Sequence, residues 1–122
     1  MRAYLHDGDL FAITENEELV GVLLAIRADD TVEIKNLAVV PARRGAGIGR
    51  AAIEALAERA SSEGVTRLIV GTANSSLDNL RFYQRCGFRF AGVRRGFFDS
   101  YPEPIVESGV RARDLVILDR HL

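Results

Sequence analysis

Residues 43–50 read Arg43-Arg44-Gly45-Ala46-Gly47-Ile48-Gly49-Arg50, three alternating glycines set among three arginines. The stretch joins two patterns of different period. Before it, residues 31–40 are rich in β-branched side chains and stop at Pro41, as a strand would. After it, Ile48, Ala52, Leu56 and Ala60 recur at every fourth position, with Ile53 and Ala57 widening the stripe. That spacing predicts a helix with one apolar face, with Arg50, Glu54, Glu58 and Arg59 pointing away from it. Gly64 stands where a helix-terminating glycine belongs. A glycine-rich turn from strand into helix lets the main chain approach a ligand closely, and the unpaired amides of the first helical turn lie at the positive end of the dipole. With arginines at the rim, this suits a diphosphate, each charge-assisted hydrogen bond contributing roughly 1.5–3 kcal/mol.

Two familiar phosphate loops are excluded. A Walker loop needs Lys-Ser/Thr after its last glycine, and here Arg50-Ala51 follows Gly49. A dinucleotide fingerprint needs G-x-G-x-x-G after the first strand of a βαβ unit, and here the spacing is G-x-G-x-G after a third strand.

Further out, residues 10–13 and 19–26 read as a hairpin around Glu15-Asn16-Glu17-Glu18, and Asp29-Asp30 turns the chain into residues 31–40. Three strands joined by tight polar turns predict an antiparallel meander. Residues 68–70 form a short apolar strand, so the helix between makes a crossover. Ser75 and Ser76 are expected to cap a second helix through Leu77, Leu80, Phe82 and Tyr83, closed by Gly87 with Phe88 as its apolar contact. Residues 88–93 alternate like a strand, and residues 115–118 give a last one. Between them, residues 94–113 form a long segment of the kind that is usually functional or mobile.

Composition narrows the function classes. The 122 residues point to one domain, 1–122. Sixteen basic against seventeen acidic residues lack the basic excess of a nucleic-acid binder. Cys86 is the single cysteine, so no intramolecular disulfide forms, and with only His6 and His121 for company it makes no structural zinc site. No metal is expected, and both histidines are expected at the surface. No apolar signal region opens the chain, and the longest apolar run, residues 19–26, is far short of a bilayer span. A soluble, cytoplasmic protein without membrane or nucleic-acid partners is expected.

The glycine loop resembles the acyl-CoA motif of the Gcn5-related N-acetyltransferase (GNAT) family, an Arg or Gln, two residues, Gly, one residue, Gly or Ala, filled here by Arg44, Gly47 and Gly49. The stretch Leu80-Arg81-Phe82-Tyr83-Gln84-Arg85-Cys86-Gly87-Phe88 resembles that family's second signature, and the element order from Leu10 onward is similar. The resemblance implies an α/β fold with a mixed, partly splayed sheet and two helices. It implies direct transfer of an acetyl group from acetyl-CoA, as co-substrate, to a primary amine of a small molecule or peptide. The family normally opens with a strand and one or two helices. Residues 1–9 are too few for them, so part of the acceptor-side wall is expected to be absent. The apolar surface thereby exposed is expected to drive self-association, as a homodimer. The alternative is a non-catalytic acyl-CoA-binding module that has lost part of its acceptor site.

Carried over residue by residue, the main chain of Leu37, Ala38 and Val39 would bind the pantetheine arm. The amides of Gly45, Ala46, Gly47, Ile48, Gly49 and Arg50 would bind the pyrophosphate. A side-chain contact to pantetheine falls among Asn74, Ser76 and Asn79. Tyr83 would act as general acid at sulfur. A phenol pKa of about 10 against about 8.5 for a thiol makes complete proton transfer uphill by roughly 2 kcal/mol, so a stabilising hydrogen bond serves equally well. The competing reading is a core tyrosine with its hydroxyl at the surface. Glu33 stands where some members place a general base. Its two-residue alternation with Lys35 and Leu37 would put it beside the thioester, and the competing reading is a solvated strand carboxylate. Asp99, Glu103 and Glu107, with Phe97, Phe98 and Tyr101, lie in the segment that borders the acceptor in similar proteins, where they would suit a cationic amine.

Overall fold

The computed structural model describes residues 8–122; His6 lies outside them. Ten elements follow the chain: β1 (Asp9–Glu15), β2 (Glu18–Ala28), β3 (Thr31–Val39), α1 (Ile48–Ser62), β4 (Arg67–Ala73), α2 (Leu77–Arg85), β5 (Arg89–Arg94), β6 (Val106–Glu107), β7 (Val110–Arg111) and β8 (Leu115–His121). They form two compact units, residues 8–68 with His121–Leu122, and Ile69–Arg120.

In the first unit β1, β2 and β3 make the expected antiparallel meander. The β1–β2 turn is two residues long, with φ of 51° at Asn16 and 67° at Glu17, the backbone that matches strand twist in a tight hairpin. α1 lies against β3 and buries Ile48, Ile53, Leu56, Ala57 and Ala60; with Leu23, Ala25, Val32 and Ile34 these form the core. The amide of Gly64 donates to Ser61 O at 3.2 Å and that of Val65 to Ala60 O at 3.0 Å, the paired bonds that end a helix at a glycine. Arg59 departs from its expected place. Its guanidinium sits 6.0 Å from the Phe11 ring centroid and 3.5 Å from Glu63 Oε2, because its aliphatic stem covers apolar surface more favourably than it extends into water.

In the second unit the strands neighbour one another in the order β4-β8-β5, with β5 antiparallel to β8. α2 closes as α1 does. Gly87 N donates to Gln84 O and Phe88 N to Tyr83 O, both at 3.0 Å, and Phe88 is buried. The start of α2 differs from expectation. Ser76 is its N-cap but makes no capping bond; the Ser75 and Ser76 hydroxyls both donate to Glu107 Oε1 at 2.9 Å. The rotamers that deliver both hydroxyl protons to Glu107 leave no helix amide bonded to the Ser76 oxygen. Residues 94–113 are not structureless, since β6 and β7 pair as a small hairpin around Ser108 (φ 52°) and Gly109 (φ 75°).

Candidate functional site

The glycine loop is built by backbone conformation. Pro41–Arg43 form a single 3₁₀ turn, and the chain then passes Gly45 (φ 81°) and Gly47 (φ 82°) before α1 begins. A Cβ at either glycine would meet nothing within 4 Å. What requires glycine is the left-handed φ, which costs another residue roughly 1–2 kcal/mol. Gly47 is the N-cap of α1 and offers no side chain to bond its amides. Ile48, Gly49 and Arg50 therefore carry the first-turn amides that a helix cannot satisfy internally, at the positive end of a fifteen-residue helix. The three arginines divide. Arg43 bonds Glu15 and reaches Glu18 at 3.6 Å, which ties the loop to the β1–β2 turn. Arg44 donates from Nε to Val39 O at 3.3 Å. Arg50 is exposed and makes no ion pair among the described residues.

β3 leads into this loop and carries a bulge. Leu24 pairs with Asn36 but Ala25 with Ile34, so Lys35 is an extra residue. The two-residue alternation therefore breaks at Lys35. Leu37 shares a face with Ile34, opposite Leu23 and Ala25, while Glu33 lies on the other face with Asn36 and Ala38. Glu33 is half-exposed and its Oε2 lies 3.4 Å from Lys35 Nζ. Val39 lies six positions further on, about 20 Å of extended strand. Beside the mouth of the loop, a Cβ on Gly21 would come within 2.5 Å of Ala38 O, so glycine there lets β2 lie against the β3 main chain.

In the second unit Tyr83 is 6% exposed. Its ring meets Phe82 edge-on at 5.1 Å and Phe88 at 5.5 Å. Burial, helped by the neighbouring Cys86, pushes its phenol up to about 12, so the hydroxyl stays protonated through the ordinary pH range. Asn79 is exposed on α2.

The profile of the acetyltransferase (GNAT) family matches residues 2–88. The chain belongs to this family. Among curated GNAT relatives, the uncharacterized N-acetyltransferase YvbK of Bacillus subtilis is 36% identical over 117 residues, which cover 94% of this chain and 76% of YvbK. The crystal structure of a GNAT family acetyltransferase from Elizabethkingia anophelis with acetyl-CoA bound superposes with a TM-score of 0.87 at 36% identity, over 95% of this chain and 77% of that one. A Bacillus subtilis acetyltransferase in complex with CoA gives 0.88 at 35% identity, over 95% and 78%. The mixed α/β GNAT fold is thereby shown. No helix among the described residues is long and apolar enough to cross a membrane, and among them no three His, Cys, Asp or Glu side chains gather as metal ligands.

In this GNAT chain, the end of β4 is tied to the segment before β8. Asn74 Oδ1 accepts from the amides of Arg113 (2.8 Å) and Asp114 (3.0 Å), and Nδ2 donates to Arg111 O (3.1 Å). Both acceptor sites and one donor proton of its amide are engaged, leaving one N–H for any ligand. Of the three acids expected at the acceptor, Asp99 pairs with Arg113 at 3.4 Å and Glu107 accepts from the two serines. Glu103 is exposed. Phe97, Phe98 and Tyr101 form an edge-on row.

Proposed function

We propose that residues 1–122 act as a single acetyltransferase domain that moves the acetyl group of acetyl-CoA directly onto a primary amine of a small molecule or peptide. The observation that carries this is the loop of Gly45 and Gly47, whose left-handed backbone presents uncapped helix amides, in a chain of GNAT sequence and fold. Two structural relatives that superpose over 95% of the chain are complexes with acetyl-CoA and with CoA. The amides of residues 45–50 bind the pyrophosphate, with Arg44 and Arg50 at the rim. The main chain of Leu37, Ala38 and Val39 lines the pantetheine arm, and the exposed amide of Asn79, with the remaining proton of Asn74, contacts it.

Acyl transfer requires loss of a proton from the ammonium, stabilisation of the thioester oxygen and stabilisation of the departing thiolate. Tyr83 serves the last. With its phenol near 12 against about 8.5 for a thiol, complete proton donation is uphill by about 5 kcal/mol. Tyr83 therefore acts as a hydrogen-bond donor to the developing thiolate, and the proton that finally neutralises sulfur comes from solvent or from the attacking nitrogen, which sheds its protons as the amide forms. Glu33 is the candidate base, acting from the β3 face of Asn36 and Ala38 rather than from that of Leu37. Exposed apolar side chains at Leu10, Phe90 and Val93 support a homodimer, tested by light scattering. Calorimetry with CoA, followed by a thiol-release assay with acetyl-CoA and a panel of amines, tests the main reading. Absence of CoA binding would end it, and tight binding with no turnover on any amine would favour a binding module.

A further inference from the structure

The segment before β8 forms an open hollow of about 420 Å³ lined by Arg95, Gly96, Asp99, Arg113 and Asp114. Its frame is fixed from within. Gly96 N donates to Asp114 Oδ1 at 2.9 Å, Phe98 N to Arg113 O at 3.0 Å, and the Arg113 and Asp114 amides to Asn74 Oδ1. The anions already have partners in the wall, Asp114 in the Gly96 amide and Asp99 in Arg113 Nε at 3.4 Å. The Arg95 guanidinium is exposed and makes no ion pair among the described residues, and Arg113 engages Asp99 through Nε. What the hollow offers a ligand is therefore mostly guanidinium N–H, a planar fork suited to an oxyanion. Two cations against two anions make it neutral in sum, so a bound monoanion leaves one uncompensated charge and a dianion leaves two, which favours the single charge. A carboxylate meets both conditions.

We propose that Arg95, with Arg113, holds a carboxylate of the acceptor, so that the amine substrate is an amino-carboxylate (an amino acid, or a peptide with a free carboxyl group) rather than a purely cationic amine. This rests on the reading that the segment borders the acceptor of an acetyltransferase. The test titrates two matched pairs into the CoA-saturated chain by calorimetry, phenylalanine against 2-phenylethylamine and lysine against 1,5-diaminopentane, and measures kcat/KM for each by thiol release. The carboxylate member of each pair should bind about tenfold tighter or better, the usual scale of a charge-assisted bond. Arg95→Gln should bring the two members within about twofold, and Arg95→Lys should keep part of the preference. Equal binding of the two members, binding of neither, or a preference unchanged in Arg95→Gln would overturn the carboxylate pocket while leaving CoA binding intact. A chain that does not bind CoA would overturn both readings together.

Discussion

Phe88 holds Tyr83 in two ways. Its amide donates to the Tyr83 carbonyl at 3.0 Å, and its ring meets the Tyr83 ring edge-on at 5.5 Å. The residue that ends α2 thus also walls the phenol proposed to face sulfur. Phe88→Ala should cost about 3–5 kcal/mol of stability, as large aromatic truncations in cores do. Phe88→Leu should cost less and still lower turnover, because the edge contact is gone. Denaturant melts and acetyl-CoA kinetics on the two variants check this.

Tyr83→Phe should reduce kcat by about tenfold to a hundredfold and leave the Kd for CoA within about twofold, since a hydrogen bond formed only as charge develops acts on the transition state. Its pH signature is also defined. The folded phenol lies near 12 and the unfolded one near 10, so folding favours the protonated form. The contribution to stability is fully present below about pH 10 and is lost as pH rises through 12, up to about 3 kcal/mol in all. The stability difference between the native chain and Tyr83→Phe should therefore be flat from pH 6 to 9 and shift in favour of the variant above 10. A native chain that shows no such alkaline loss would remove the burial argument.

Gly47→Ala places a Cβ on a φ of 82°. It should destabilise by about 1–2 kcal/mol and weaken CoA binding by more than tenfold, because the turn that aims the first-turn amides relaxes toward negative φ. Ala46→Gly, at the neighbouring loop position, should leave the affinity nearly unchanged. Thermal melts with and without CoA read both effects.

Gly21→Ala drives a methyl to 2.5 Å from Ala38 O. The cost should be about 1–3 kcal/mol, as for other overpacked sites. Because the carbonyl that must yield belongs to β3 beside the proposed pantetheine contacts, CoA affinity should fall with stability. Amide exchange at residues 36–39 would locate the displacement, and unaltered exchange there would show that β2 yields instead.

Asn74→Ala leaves the Arg113 and Asp114 amides without their acceptor. A loss of about 1–3 kcal/mol is expected. Hydrogen exchange should rise between residues 95 and 114, with KM for the amine increasing more than KM for acetyl-CoA. Equal increases in both would place Asn74 chiefly on the carrier.

What the sequence made legible was local. The meander showed through its polar turns, α1 through its four-residue stripe and Gly64, and the end of α2 through Gly87-Phe88, because each depends on residues within one turn of each other. The bulge at Lys35 had no such signal. Register belongs to two strands at once, and Lys35-Asn36 is equally acceptable with or without an inserted residue, so the side of β3 on which Glu33 lies could not be read. Ser75 and Ser76 looked like caps because the competing acceptor, Glu107, is more than thirty positions away. The β6–β7 hairpin did leave a trace in Ser108-Gly109, a pair suited to positive φ, but two-residue strands are too short to show alternation. Arg59 escapes the pattern because its charge signals solvent, whereas the hydrocarbon stem that lies along apolar surface near Phe11 leaves no mark in the spacing.

The two ends of α2 are unequally secured. One is latched by a double amide–carbonyl closure and a buried ring, whereas the other has serines that look elsewhere. Unwinding of this helix should start at Leu77 and travel toward the latch, so Asn79 loosens well before Tyr83. On warming, the proposed contact of Asn79 with the carrier's arm should be lost while the phenol still keeps its station.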